Sequence, residues 1–151
     1  MFTEEDITKQ LQLLQQTVHD LIAFYQQGTD FDTMVYTYWS VKDVLGHVTF
    51  WHESFARNLK DIATGTKPHP LKGKLAEVNE QSVATNKGVS IPLLIQRLQQ
   101  AQHTIEEHIY NTSITTIPYK KGSRDYNRLE HLEIVTSHIN KHLKDVEAVI
   151  A

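Results

Sequence analysis

The sequence predicts an all-α protein built as a four-helix bundle, with a short extra helix between the second and third long helices. Three observations lead there. Four separated segments carry apolar residues at spacings of three and four, which places each set on one helical face. Each segment opens at a Ser, Thr or Asn suited to capping. Punctuation is sparse, since 6 Gly and 4 Pro in 151 residues leave room for long helices. Four such stripes can be buried only against one another, and a bundle does this economically.

The first helix runs from about Glu4 to Gln27. Thr3 caps it, with Asp6 three residues on, and its stripe is Ile7, Leu11, Leu14, Val18, Leu21 and Tyr25. Gly28 is expected to stop it in the left-handed conformation. A loop from Thr29 to Trp39 follows. Ser40, with Asp43, caps the second helix, whose stripe is Val41, Val44, Val48, Trp51, Phe55, Leu59 and Ile62. Gly65 and the Pro68-His69-Pro70 run end it. Lys74 to Lys87 reads as the short, polar extra helix. Ser90 caps the third long helix and Pro92 sits in its tolerant first turn. Ile91, Leu94, Leu98, Ala101, Ile105 and Ile109 face inward there. Residues 112–126 read as a Thr-rich loop with a turn at Lys120-Lys121-Gly122-Ser123. Asn127 and Glu130 open the last helix, which ends near Ile150, and its stripe is Leu132, Val135, Ile139, Leu143, Val146 and Ile150. The connections leave crossovers open, so spacing alone does not settle the topology. The chain reads as one domain over residues 1–151.

Composition excludes several functions. Lys+Arg is 15 and Asp+Glu 18, and a net charge of −3 offers no footprint for nucleic acid or an anionic membrane. No apolar run approaches the roughly 18 residues of a membrane span, and the acidic start lacks a signal-peptide core. With no cysteine there is no disulfide scaffold, no thiolate metal site and no cysteine nucleophile, which suits a reducing cytoplasm. Gly-rich phosphate loops, a His-Glu-x-x-His motif and a Gly-x-Ser-x-Gly elbow are all missing. The adjacent Glu106 and Glu107 diverge on their helix and read as a solvated face.

Histidine stands out, with 9 in the chain. His138 and His142 are four apart, about 40° round the helix and about 6 Å along it. Two imidazoles so placed can converge on one cation, although nine scattered histidines give about 0.5 such pairs by chance. Both flank the buried stripe on the same side. His131 lies on that side too, but about 16 Å along the axis from His142, too far to share a metal. A third ligand has to come from another helix. The second helix offers His47 or His52, which lie about 140° apart on the wheel and so should not face one site together. Either reads as a boundary histidine, ring packed and tip wet. His108 reads as a core histidine, and His19, His69 and His103 as surface or loop residues. Three histidines without a fourth protein ligand would leave an open coordination position, as in a catalytic rather than a structural site.

The run Trp39-Ser40-Val41-Lys42-Asp43-Val44-Leu45-Gly46-His47-Val48-Thr49-Phe50-Trp51-His52-Glu53 resembles the second-helix signature of the DinB-like (DinB/YfiT) superfamily. Val78-Asn79-Glu80 and Thr136-Ser137-His138-Ile139-Asn140-Lys141-His142 sit where that family's later patterns sit. The details are most similar to the ClbS/DfsB-type subgroup. The resemblance implies an up-down-down-up four-helix bundle. It also implies a divalent metal, nickel or zinc in most members with iron as a further option, held by His47, His138 and His142. One departure is Ile139, where the family commonly has an aromatic residue, and it is expected to alter the cleft wall. Some members lack metal.

Three function classes follow. One is a metal-dependent enzyme, a thiol transferase or hydrolase acting on a small electrophilic molecule, with a low-molecular-weight thiol as co-substrate because the chain has no cysteine. Glu53, Tyr36 and Tyr38 are its candidate helpers. The second is a small-molecule-binding or self-protection protein of the ClbS/DfsB type, with Trp39 and Trp51 as cleft walls, although Trp51 reads more readily as a core aromatic. The third is a metal-free interaction module. Homodimers are frequent in such bundles.

Overall fold

The computed structural model describes residues 1–28 and 30–150. Its helices are α1 (Glu4–Gln27), α2 (Val41–Ala63), α3 (Leu75–Ala84), α4 (Ile91–His108) and α5 (Arg128–Ile150). The four long helices and the short extra one are those expected.

The caps form as the sequence requires. Thr3 with Asp6 and Ser40 with Asp43 each make reciprocal side-chain-to-backbone pairs. Asn127 and Glu130 do the same at the start of α5, at 2.9 and 2.8 Å. Ser90 accepts from the Leu93 N–H. The stripes then close into one core, in which Ile7, Leu14, Leu21, Val44, Leu59, Leu94, Leu98, Ile105, Leu132 and Val146 are fully buried. The Ser40 box holds the first turn of α2 just ahead of His47. Ser40→Ala is expected to lower stability by about 1 kcal/mol, read as a shift of the urea midpoint at unchanged slope. An unmoved midpoint would show the cap to be dispensable.

Side-chain pairs fix the directions of the helices. Gly46 meets Asn86, and further along, Glu53 meets Arg97 and His52 meets Gln102, so α2 and α4 run the same way. Phe2 packs under Arg128 at one end, and Phe24 shares a small cleft with Ile150 at the other, so α1 and α5 are also parallel. His47 meets His138 while Phe55 stacks on His131, which sets α2 against α5. Thr8 with Tyr110 and Gln15 with Glu106 set α1 against α4. The long helices therefore run up, down, down, up. The main packings pair α2 with α4 and α1 with α5.

Two expectations are corrected. Gly28 is extended, with φ −81° and ψ 163°, not left-handed. A Cβ there would lie 3.0 Å from the Phe31 ring and 3.1 Å from the Phe24 carbonyl. Glycine serves close approach at this end of α1, where Phe31 turns back to stack on Tyr25. Thr29, the first residue of the expected loop, lies outside the described residues. The extra helix is shorter than Lys74–Lys87. Lys74 provides no side-chain cap, and at the other end Asn86 is tied to the Gly46 and Ser82 carbonyls. The left-handed stop falls instead after α2, at Gly65 with φ +78°.

The 112–126 loop does more than connect. Ile114 and Ile117 are buried in the core. Ile117 pairs with Tyr126 through two backbone hydrogen bonds, and the Lys121 N–H donates to the Leu71 carbonyl. The loop is thereby fastened to the segment that follows α2. Among the described residues no helix is long and apolar enough to cross a membrane.

Candidate metal centre

The antiparallel arrangement of α2 and α5 brings His47 opposite the one-turn pair His138 and His142. His47 Nε2 lies 3.0 Å from His138 Nε2, and His142 Nε2 lies 3.1 Å from the same atom. One nitrogen from each ring falls within 4.8 Å of the others. Tetrahedral metal–nitrogen bonds of ~2.0–2.1 Å place nitrogens about 3.3 Å apart, so the trio is nearly at binding distance.

The outer hydrogen bonds set the tautomers of two of the rings. Ser82 Oγ donates its single proton to the Asn79 carbonyl, at 2.5 Å. It must therefore accept from His47 Nδ1, 2.8 Å away. Tyr36 repeats the arrangement on α5. Its hydroxyl donates to the Asp145 carboxylate and accepts from His142 Nδ1 at 2.8 Å. Burial, reinforced by Asp145, raises the Tyr36 phenol well above its ordinary range, so the proton stays on it. With both Nδ1 atoms protonated, the Nε2 atoms of His47 and His142 present lone pairs to the centre. His138 Nε2 can carry one proton, and it faces two lone pairs. A cation satisfies all three atoms, whereas one proton satisfies only one of the two contacts. The donor set fits a divalent metal on this ground.

The imidazoles are also kept neutral. Burial is the first cause in each case, pushing His47 down to about 2, His138 to about 3 and His142 to about 4. The Lys141 ammonium adds to the effect on all three, as do neighbouring histidines on His47 and His138. Neutral imidazole is the form that binds metal.

The trio forms the floor of an open cleft of about 510 Å³, with Tyr36, Tyr38, Trp39, Asn79 and Lys141 around it. The Trp39 ring lies 4.6 Å from that of His47. Its role as a cleft wall is as expected. Trp51 is 6% exposed and its Nε1–H donates to Asn79 Oδ1, so it braces α3 rather than lining the cleft. Of the three candidate helpers only Tyr36 touches a histidine. Tyr38 is at the rim, 83% exposed. Glu53 is turned away, held by Arg97 Nη2 and Nε at 2.6 and 3.0 Å.

The remaining histidines separate as their positions dictate. His52 does not join His47. It is buried and donates from Nε2 to Gln102 Oε1, so its tip is dry, not wet. His131 is 1% exposed and stacks on Phe55 with ring centres 4.0 Å apart, away from the trio. His108 is not a core residue. It lies half-buried at the end of α4 beside Glu107, off the face that buries Ile105 and Ile109. His19, His69 and His103 are exposed as expected, and so is Glu107. Glu106 is half-buried and accepts from Gln15 and Gln102. Ile139 does not shape the cleft. It is 1% exposed in the core, because it sits on the stripe rather than on the face of His138. Sequence reasoning missed Asp145 and Ser82. Asp145 stands three residues after His142, on the same face, and that spacing is the signal that points to it.

No family model matches the chain, and no curated protein matches it. Solved structures do. One is a crystal structure of the mycothiol-dependent maleylpyruvate isomerase, with a TM-score of 0.73 at 13% identity. Another is a histidine-to-alanine mutant of that isomerase, with a TM-score of 0.72 at 12% identity. Each alignment covers 97% of this chain and 63% of the other. The likeness is one of fold. The chain spans less than two thirds of the isomerase's length.

Tyr36 offers a direct check on the outer hydrogen bonds. Tyr36→Phe leaves the ring in place but frees His142 Nδ1 to turn. Affinity for added Zn²⁺ or Ni²⁺ is expected to fall about 10–100-fold, measured by calorimetric titration. Unchanged affinity would mean that Tyr36 does not hold the ring.

Proposed function

We propose that the chain is a metal-dependent enzyme that joins a low-molecular-weight thiol to a small electrophile, or hydrolyses it, at His47, His138 and His142. One observation carries this reading. The three Nε2 atoms converge at the floor of an open cleft, two of them with lone pairs fixed inward by Ser82 and Tyr36. A nickel, zinc or iron ion bound there supplies Lewis acidity and lowers the pKa of a coordinated thiol or water.

The chain's own residues do the rest. The histidines bring no negative charge, so a bound cation keeps its full charge for an anionic ligand. Tyr36 and Ser82 keep two rings in their metal-binding tautomer. Trp39 and Tyr38 offer aromatic surface to an unsaturated or aromatic electrophile, and Lys141 stands beside the trio with its ammonium 5.8 Å from the Tyr36 ring centre. With no cysteine in the chain the thiol must be a separate molecule. The likeness to a thiol-dependent isomerase and the DinB-like resemblance support this class of chemistry. Neither identifies the thiol or the electrophile.

The test is turnover. Protein is incubated with a generic electrophile and several low-molecular-weight thiols, with and without added metal. Metal-dependent conjugate or hydrolysis product, formed in excess over protein, is the expected result. Loss of one equivalent of electrophile without thiol or metal would overturn it in favour of capture.

A further inference from the structure

Among the described residues, the lining of the open cleft contains one permanently charged side chain, Lys141, and no carboxylate. Lys141 is exposed and stands on α5 between the two histidines of the pair, three residues after His138 and one before His142. Its natural partner would be Asp145, four residues on. That carboxylate is already taken by the Tyr36 hydroxyl. Among the described residues no carboxylate lies within ion-pair distance of the Lys141 ammonium. The ammonium stands 5.8 Å from the centre of the Tyr36 ring, and the His142 ring lies 5.9 Å from the same centre. One aromatic ring therefore borders both the cation and a metal-ligand candidate. A small molecule with one end at the trio can bring its other end to Lys141.

Asn79 adds a neutral donor to the same lining. Its Oδ1 accepts from the Trp51 Nε1–H, which fixes the amide and leaves Nδ2 as its unpaired end among the described residues. An ammonium and an amide nitrogen can only donate. Together they match a group that only accepts. One ammonium balances one negative charge, which suits a carboxylate better than a doubly charged phosphate.

We infer that the cleft selects a substrate with a carboxylate set apart from its reacting atom, and that Lys141 is the residue that holds it. The carboxylate belongs to the thiol or to the electrophile. What reacts rests on the function proposed above. The recognition does not need the metal, because neither Lys141 nor Asn79 is among its ligands.

Matched acids and amides test it. Metal-loaded protein is assayed with thiols and benzylic chlorides, whose chloride the thiolate displaces as the S–C bond forms and the thiol's proton passes to solvent. β-Mercaptopropionate is set against β-mercaptopropionamide, and para-(chloromethyl)benzoate against para-(chloromethyl)benzamide. In one pair the acid is expected to be preferred in kcat/KM, and that pair names the molecule that carries the carboxylate. Lys141→Gln should cut the preference about fivefold, the upper reach of an exposed ion pair, and Lys141→Arg should restore it. No preference in either pair, or one that Lys141→Gln leaves intact, overturns the inference. The metal-free chain is titrated with the unreactive pairs propionate and propionamide, and para-toluate and para-toluamide. In one pair the acid should shift the amide resonances of Trp39 and Lys141 at about fivefold lower concentration, a difference that Lys141→Gln erases. If the chain takes up no metal or turns nothing over, the proposed enzyme fails and these titrations alone decide Lys141. Acids and amides that bind alike then overturn it.

Discussion

His138→Ala is expected to abolish stoichiometric metal binding. Protein purified without chelator should carry near one nickel, zinc or iron per chain, and the variant close to none. The expected loss exceeds the roughly 10–100-fold that removal of an outer partner causes, because His138 Nε2 is the atom both other ligands approach, at 3.0 and 3.1 Å. Alanine leaves two nitrogens on different helices with nothing between them. His52→Ala, which removes a buried histidine outside the trio, should leave the stoichiometry intact if it folds. Elemental analysis reads all of these. A native chain that neither carries metal nor takes it up on titration would end the three-histidine reading, and the bundle would then be a metal-free binding or interaction domain.

The second large effect is acid sensitivity. His52 and His131 lie outside the trio, buried within the bundle, and burial lowers each to about 4. The folded state therefore holds them neutral, while the unfolded chain protonates them near 6.5. Below 6.5 the unfolded state binds more protons, so stability falls as pH falls. The contribution is whole above pH 6.5 and is lost as pH drops towards 4. A separation of about 2.5 units corresponds to roughly 3 kcal/mol for each histidine. Both are at most 2% exposed, so solvent screening takes little from this. Against a typical total of about 5–15 kcal/mol, the pair is a sizeable part of the acid sensitivity, and in the metal-free chain the three histidines of the trio add to it in the same direction. Urea midpoints should decline steadily from pH 7 to pH 5, and His131→Phe should flatten the slope. A flat profile in the native chain would contradict it.

Much of the fold is legible because it is local. The 3-4 spacing of Ile7, Leu11, Leu14, Val18, Leu21 and Tyr25 needs no partner to be recognised, and Thr3 with Asp6 is a contact between residues three apart. The His138–His142 pair is legible for the same reason. His47 is different. Its wheel position allowed either it or His52, and the family resemblance preferred it. The structure brings His47 to the pair, because α2 runs against α5 with His52 turned towards α4. Ser82 reaches His47 across 35 residues and Tyr36 reaches His142 across 106. No periodicity encodes contacts of that range. Ile114 and Ile117 were unreadable as core because an irregular loop has no repeat against which an apolar residue can be judged. Gly28 misled because a glycine after a helix more often marks a left-handed turn than a close approach.

The pairing of the helices also carries a mechanical meaning. The bundle's strongest seams join α2 to α4 and α1 to α5, and the histidine trio straddles the line between these halves, with His47 on one and His138 and His142 on the other. A bound ion is then a rivet as well as a reagent. At a hundredfold excess over its dissociation constant it would add about 2.7 kcal/mol to the folded state, all of it across one joint. Amide exchange in α2 and α5 around the rivet should slow on loading, while the far ends of α1 and α4 continue to breathe at their own pace. Removing the ion would loosen the hinge between two half-bundles without unthreading either of them.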